Sequence, residues 1–145
     1  ASMLGAIKQQ LDETGQRIDE DPAAISKMIF DSLAFRYASV LRTIEKLAEI
    51  GLVGVHIVSG GGHNRYLNQM TANASGIKVK AGLTEATVVG NALVQAISAD
   101  RFASLAEARA YVRENFEFEE FDPGPSAMID AAKLRYAAIE ACFVS

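Results

Sequence analysis

The stretch that decides the fold is residues 53–64, VGVHIVSGGGHN. Residues 53–58 form a short, nearly continuous apolar run rich in β-branched side chains, which is typical of a strand buried on both faces of a parallel sheet. Three glycines at residues 60–62 end this run, and Asn64 then supplies a side chain that can begin a helix. The stretch therefore predicts a strand, a tight turn and a helix in immediate succession.

Helix signals and a second strand surround this stretch. Residues 77–80 alternate between apolar and charged side chains, as a partly exposed strand does. Three helices are predicted by their start and stop signals: from residue 4 to Thr14 and Gly15, from Pro22 after the N-cap Asp21 to Gly51, and from Asn64 to Gly76. Three more follow: one capped by Thr84, one opened by a capping box of Ser104 and Glu107, and one carrying Ile129, Ala132, Tyr136 and Ile139.

The order of these elements predicts an α/β fold, rich in helices and with a small parallel sheet. The two strands should run parallel because a helix connects them. The length of 145 residues favours a single domain over residues 1–145. Two strands make a thin sheet for that length, so we expect the sheet to be completed by something outside this chain. The chain also enters a helical pattern at its first residues, which points to a fragment or domain of a longer protein.

Composition and charge exclude several classes of function. The net charge is −4 and no cluster of lysines and arginines occurs, so nucleic acid and anionic membranes are poor partners. No apolar run approaches the 18 or so residues of a membrane span, and a cytoplasmic protein is expected. The single cysteine, Cys142, excludes an internal disulfide and a zinc site built from cysteines.

The glycines at residues 60–62, called the glycine run from here on, are the best candidate for chemistry. Glycines between a strand and a helix allow positive φ and close approach of a ligand to the backbone. The helix that follows presents free N–H groups, and Asn64 could cap it or offer its amide to a base or ribose. A tight connection without any ligand is the alternative. The spacing matches neither the dinucleotide fingerprint nor the P-loop.

The other candidates are weaker. His56 is interpreted as a buried, hydrogen-bonded residue inside the apolar strand and not as a ligand. His63, at the mouth of the turn, is better placed for function but is interpreted as a solvated loop histidine. The segment 116–122 alternates aromatic and acidic side chains, which indicates an extended, solvated edge and not a metal site. Gly90 interrupts a predicted helix at a cost of about 1 kcal/mol, for which close packing is the simplest reason. These residues predict no catalytic group and no metal ligand.

Several segments together resemble the C-terminal domain of the FGGY family of carbohydrate kinases, and within it the rhamnulokinase branch. The resemblance covers essentially the whole chain. The segments that carry it are residues 3–7 (MLGAI), 29–37 (IFDSLAFRY), 57–62 (IVSGGG), 67–76 (LNQMTANASG) and 81–91 (AGLTEATVVGN).

The resemblance implies an actin-like, ribonuclease H-like ATPase fold in which ATP lies in a cleft between two domains. It also implies phosphorylation of the 1-hydroxyl of L-rhamnulose with ATP and Mg²⁺. In this family the glycine motif contacts the nucleotide, which corresponds here to Gly60, Gly61 and Gly62 and more loosely to Asn64.

The same resemblance places the catalytic aspartate, the phosphate-binding loop and most of the sugar pocket upstream of residue 1. The chain is then the C-terminal, adenosine-side part of a sugar kinase and inactive alone. Two alternatives remain open at this stage. One is a kinase of another ketose or polyol, and the other is a non-catalytic nucleotide-binding or interaction module.

Overall fold

The computed structural model describes residues 2–17, 21–125 and 127–143, which contain six helices and three strands. The helices are α1 (Met3–Glu13), α2 (Pro22–Ala48), α3 (Arg65–Ser75), α4 (Ala86–Ser98), α5 (Leu105–Asn115) and α6 (Ala127–Ala141). The strands are β1 (Val55–Ile57), β2 (Val79–Gly82) and β3 (Phe118–Phe121). None of the helices in these ranges is both long and apolar enough to cross a membrane.

The sheet has the order β1-β2-β3. β1 pairs with β2 in parallel, with Val55 opposite Val79, so the predicted strand–helix–strand unit is confirmed. β3 pairs with β2 in the antiparallel direction, with Phe121 opposite Val79. The predicted extended segment is thus a third strand, and the sheet is mixed where the sequence predicted a purely parallel one.

The first strand is shorter and more exposed than predicted. β1 spans three residues instead of six, and Val53 lies before it with 97% of its surface exposed. His56 is exposed, so its interpretation as a buried residue is wrong. The reason is that β1 is the outer strand of the described sheet, and in these residues it has a partner on one edge only.

The helix boundaries follow local signals with two exceptions. α2 continues for 27 residues without interruption and ends at Glu49, which adopts a left-handed conformation with φ 54°, so Gly51 is not the stop. Thr84 does not cap α4, whose N-cap is Glu85, because the Thr84 hydroxyl contacts His63 instead. Gly76 closes α3 as predicted, with φ 75°.

The predicted capping box of α5 forms with one change of partner. The Ser104 hydroxyl accepts a hydrogen bond from the Glu107 N–H at 3.2 Å. The Glu107 carboxylate reaches back, but it accepts from the N–H of Ala103 at 2.6 Å. Both bonds satisfy backbone donors at the helix start that have no partner inside the helix.

Two small cores hold the elements together, and α3 contributes to both. One lies between α2, α3 and α6 and contains Ala34, Phe35, Ala38 and Ala74. The other lies between α3 and the sheet and contains Ala72, Val79, Ala81 and Phe121. α3 therefore fixes the position of the turn that precedes it relative to both the helices and the sheet.

A polar cluster also joins α6 to α2. Glu140 accepts hydrogen bonds from the Ser39 hydroxyl at 2.8 Å and from the Arg36 guanidinium. Burial alone would raise the pKa of Glu140, but these two donors outweigh it and the pKa lies below its usual value. The carboxylate is therefore held in its charged form at neutral pH.

Gly82, at the end of β2, is the position where the fold most clearly requires a glycine. A Cβ atom there would lie 2.7 Å from the Phe118 ring and 2.9 Å from the Glu117 carbonyl oxygen. We expect Gly82→Ala to lower the free energy of unfolding by about 1–3 kcal/mol, since overpacking at a tight contact costs this much. Urea unfolding of the chain measures this loss, with Gly60→Ala as the matched control because a Cβ at Gly60 meets nothing within 4 Å. Equal stability of the two variants would contradict the prediction.

Candidate functional site

The glycine run lies in a short 3₁₀ turn, Ser59–His63, between β1 and α3. The expected positive φ at these glycines is wrong: the left-handed residue is Ser59, with φ 63°. The Ser59 N–H donates to the Leu83 carbonyl oxygen at 3.1 Å, which ties the carboxyl end of β1 to that of β2. Leu83 is itself left-handed, with φ 53°. Two non-glycine residues thus hold strained conformations side by side at this end of the sheet.

The chain's own packing does not require the glycine run. A Cβ atom would meet nothing within 4 Å at Gly60, would touch the Ile57 side chain at 3.4 Å from Gly61, and would lie 3.5 Å from the Gly82 nitrogen at Gly62. These are ordinary van der Waals distances, so an alanine would fit at each of the three positions. Glycine weakens a structure by roughly 0.5–1 kcal/mol relative to alanine because the unfolded chain has more freedom. The chain's own packing therefore gives no reason for three glycines in this turn.

A cleft of about 440 Å³ opens beside the glycine run, at the carboxyl ends of β1 and β2. In open α/β sheets, ligands bind at this end of the strands. The side chains and backbone that line it come from the glycine turn, the end of β2 and the start of β3, with Gly62, His63, Thr84, Glu117, Phe118 and Glu119 among them.

The polar groups of the cleft are partly committed to one another. The His63 ring nitrogen Nε2 lies 3.2 Å from the Thr84 hydroxyl, and Arg65 forms an ion pair with Glu119. Glu117 adds a second acidic side chain to the wall. The cleft thus offers neutral hydrogen-bonding groups, an aromatic ring from Phe118 and acidic groups.

Two asparagines support the glycine run from α3. Asn64 caps the helix, since its side-chain oxygen accepts from the Leu67 N–H at 3.0 Å. The side-chain amide nitrogen of Asn64 takes no part in this bond and remains a potential donor. Asn68 is completely buried and donates from Nδ2 to the Gly62 carbonyl oxygen at 2.9 Å, while its Oδ1 meets no hydrogen-bond partner among the described residues. Sequence reasoning missed Asn68, because its role depends on a turn six residues away.

The remaining candidate residues do not line the cleft. The exposed His56 ring lies 6.4 Å from the Phe118 ring across the sheet. Cys142 is a free, exposed cysteine near the end of α6. A Cβ at Gly90 would meet nothing within 4 Å, so close packing does not explain this glycine in α4.

The acidic segment is a solvated edge, as predicted. Glu120 on β3 forms ion pairs with Lys80 at 2.6 Å and Lys78 at 3.1 Å on β2. Lys80 and then Lys78 lower the pKa of Glu120, so it is charged and paired at neutral pH. Across residues 2–17, 21–125 and 127–143, no three histidine, cysteine or acidic side chains converge as a metal site would need.

Comparison with known proteins identifies the family to which this chain belongs. Residues 2–99 match the model of the C-terminal domain of the FGGY family of carbohydrate kinases. The chain is also similar to proteins named rhamnulokinase from three bacteria. It is 36% identical to that of Bacteroides thetaiotaomicron, over 94% of this chain and 28% of the relative. The identity is 40% for Klebsiella pneumoniae strain 342, over 89% and 26%, and 36% for Bacillus subtilis strain 168, over 84% and 25%.

The extent of these matches has two consequences. The chain spans about a quarter of the length of the curated relatives it matches. The family match includes the whole glycine run, Asn64 and α4, and the rhamnulokinases extend the similarity toward α6. The resemblance drawn from the sequence motifs is thereby confirmed, and the chain belongs to the FGGY family of carbohydrate kinases.

Proposed function

We propose that residues 1–145 are the C-terminal, nucleotide-side unit of a cytoplasmic sugar kinase that transfers phosphate from ATP to the 1-hydroxyl of L-rhamnulose. The similarity to rhamnulokinases along most of the chain supports the substrate, and family membership supports the use of ATP. The unit is inactive alone in this proposal. The general base and the sugar pocket belong to the rest of the kinase, which the chain does not contain.

The observation that carries the proposal is that the chain's own packing does not explain the three glycines of the glycine run. Three consecutive glycines stand in ordinary, right-handed or extended backbone, where alanine would fit the chain's own packing. The absence of side chains therefore serves a molecule that approaches the backbone at this turn. Backbone N–H and C=O groups bared in this way can contact a flat nucleobase or ribose closely.

The charges around the cleft support an adenosine and not the phosphates of ATP as the occupant. The charge of Glu117, unpaired among the described residues, would repel a triphosphate, whereas an uncharged base and ribose can accept a hydrogen bond from His63 and pack against Phe118. Arg65 is occupied by Glu119. We propose Gly60, Gly61, Gly62 and Asn64 as the contacts of this chain with the nucleotide; Gly62 lines this cleft, whereas Gly61 lines a groove on the other side of the turn, beside α2 and β1.

Phosphate contacts and Mg²⁺ are assigned to the preceding part of the kinase. The described carboxylates nearest the cleft are paired with basic side chains or stand singly, which does not fit a Mg²⁺ site. When bound, Mg²⁺ neutralises charge on the phosphates during transfer. This chain's contribution is to hold the adenosine end so that the phosphates are placed for reaction.

A kinase of another ketose or polyol is the second candidate. The matched region is only about a quarter of each rhamnulokinase, and in this proposal the candidate site holds the nucleotide and not the sugar. The choice of sugar is therefore made by residues outside this chain.

A chimeric enzyme tests the proposal. The matching region of the Bacteroides thetaiotaomicron rhamnulokinase is replaced by this chain, and ATP-dependent phosphorylation of L-rhamnulose is measured. We expect turnover well above that of the same enzyme truncated before the replaced region. A chimera that unfolds cooperatively like the parent enzyme but neither binds ATP nor phosphorylates the sugar would contradict the proposal.

A further inference from the structure

A pocket separate from the nucleotide cleft lies between three helices. It has a volume of about 390 Å³ and opens between the end of α1, the first half of α2 and α6. We call it the helix pocket. Three basic side chains, Arg17, Lys27 and Arg135, and one acidic side chain, Asp31, line it, which leaves an excess of two positive charges. This excess is opposite in sign to the net charge of the chain, which is −4.

The local structure at the end of α1 brings Arg17 to the helix pocket. Gly15 adopts a left-handed conformation with φ 64°, and its N–H donates to the Asp12 carbonyl oxygen at 3.1 Å. The N–H of Gln16 donates to the Leu11 carbonyl oxygen at 2.8 Å. This pair of bonds is a Schellman motif, which fixes the direction of the chain after a helix. Arg17 is the next residue, and it lines the pocket together with Gln16.

Arg135 reaches the helix pocket from α6. It lines the pocket with Ala132, Tyr136 and Ile139, and the spacing of three and four residues places all four on one face of the helix. Ala132 and Tyr136 on this face also pack against the core between α2, α3 and α6. Apolar residues normally occupy such a face. Arg135 is therefore a charged residue on the face of α6 that is turned toward α2.

The two arginines of the helix pocket are unpaired among the described residues. Neither Arg17 nor Arg135 forms an ion pair or a hydrogen bond with another described side chain, whereas Lys27 pairs with Asp31. Two guanidinium groups that share a pocket repel each other, and each carries five N–H donors. An anion between them would offset this repulsion and accept hydrogen bonds from both.

The helix pocket also has an apolar wall. The rings of Phe35 and Tyr136 are stacked, with centroids 5.7 Å apart and an angle of 30° between their planes. Both rings line the pocket, as do Leu11, Met28 and Ile139. Small-molecule sites typically have volumes of about 300–1,000 Å³, so the pocket has room for a carbon body beside an anionic group.

We infer that the helix pocket binds a phosphate monoester, whose phosphate is held by Arg17 and Arg135 and whose carbon body packs against Phe35 and Tyr136. A phosphate monoester carries nearly two negative charges at neutral pH, which matches the excess of two positive charges in the pocket. The forked donors of arginine suit phosphate oxygens. The site is distinct from the proposed nucleotide site, because the helix pocket and the cleft beside the glycine run share no lining residue.

Calorimetric titration of the full-length kinase with phenyl phosphate, without ATP or sugar, tests this inference. Phenyl phosphate has both the anionic group and a ring, whereas inorganic phosphate has the anionic group alone. We expect phenyl phosphate to bind about tenfold more tightly than inorganic phosphate, because the ring covers apolar surface.

Variants of the two arginines locate the binding. The dissociation constant of phenyl phosphate should rise about tenfold in Arg17→Gln and in Arg135→Gln, since each loses a charged hydrogen bond. Both side chains are exposed, so their replacement leaves the packing of the helices unchanged. Arg109→Gln is the matched control, because Arg109 is an exposed arginine on α5 that does not line the helix pocket. Its dissociation constant should equal that of the parent.

Asp31→Asn is expected to act in the opposite direction. The Asp31 carboxylate accepts hydrogen bonds from the Tyr66 hydroxyl at 2.6 Å and from Lys27. Asparagine keeps an acceptor for Tyr66, but it removes a negative charge from the pocket and releases Lys27. The dissociation constant of phenyl phosphate should therefore fall about threefold.

Three results would overturn the inference. The first is the absence of saturable binding of phenyl phosphate. The second is binding that is unchanged in both arginine variants, which would place the ester elsewhere. The third is equal affinity for inorganic phosphate, which would leave the apolar wall without a role. None of these measurements uses ATP or turnover, so failure of the inference is distinguishable from failure of the proposed function.

Discussion

The chain on its own is expected to show no sugar-dependent ATP turnover above the background without protein, whereas the full-length kinase should turn over at roughly 1–1,000 per second. Phosphoryl transfer needs a positioned base, a metal ion and contacts to the transferred phosphate. The cleft beside the glycine run offers none of these as an assembled set, since its acidic groups are Glu117 and the paired Glu119.

The measurement is ADP release with L-rhamnulose, ATP and Mg²⁺, with the sugar omitted as the control. The full-length kinase at the same molar concentration shows that the assay detects turnover. Phosphorylated sugar formed by the chain alone would mean that a complete active site lies within these 145 residues, and the adenosine-side assignment would then be wrong.

The second large effect is expected from Gly61→Val in the full-length kinase. In the proposed function Gly61 contacts the nucleotide, so a branched side chain there would occupy the space of the ligand. We expect the ATP dissociation constant to rise tenfold or more, which corresponds to about 1.4 kcal/mol, while the affinity for sugar stays nearly unchanged. Calorimetric titration with ATP and, separately, with the sugar measures both.

The control for this variant is its own stability, because a Cβ at Gly61 already touches Ile57 at 3.4 Å. The comparison is therefore made only if the unfolding transition of Gly61→Val matches that of the parent within about 1 kcal/mol. Unchanged ATP affinity in such a folded variant would show that the turn is only a connection between β1 and α3.

Much of this fold could be predicted because its signals are local. The cap at Asn64, the left-handed Gly76 and the capping box at Ser104 each depend on a few neighbouring residues, and the structure has all three. The parallel pairing of β1 and β2 followed from the helix between them. Local rules placed these elements because their causes lie within one or two turns of the chain.

What the sequence did not predict depends on distant partners. Segment 116–122 was expected to be extended, but its pairing with β2 requires residues nearly forty positions away. His56 was expected to be buried because its neighbours are apolar, yet burial needs a covering layer that the described residues do not supply. Glu49 ends α2 in a conformation that glycine normally adopts, so Gly51 gave a misleading signal.

The place of the glycine run in the fold was predicted, but its backbone geometry was not. The glycine run and Asn64 lie together at the carboxyl end of β1, as the motif indicated. The left-handed backbone falls on Ser59 instead of on the glycines, because the bond from Ser59 to Leu83 joins two strand ends. Thr84 and Phe118 reach the cleft through β2 and β3, a placement that only the three-dimensional pairing reveals.

The most direct test of the central claim, that the glycine run is bare for the sake of a nucleotide, uses Gly60→Ala in the full-length kinase. A Cβ at Gly60 meets nothing within 4 Å, so the added methyl group leaves the chain's own packing unchanged. Gly51→Ala is the matched control, since its Cβ also meets nothing and it precedes the opposite end of β1. We predict that the ATP dissociation constant measured by calorimetry rises roughly tenfold for Gly60→Ala and stays unchanged for Gly51→Ala. Equal ATP affinity for the two folded variants would contradict the account.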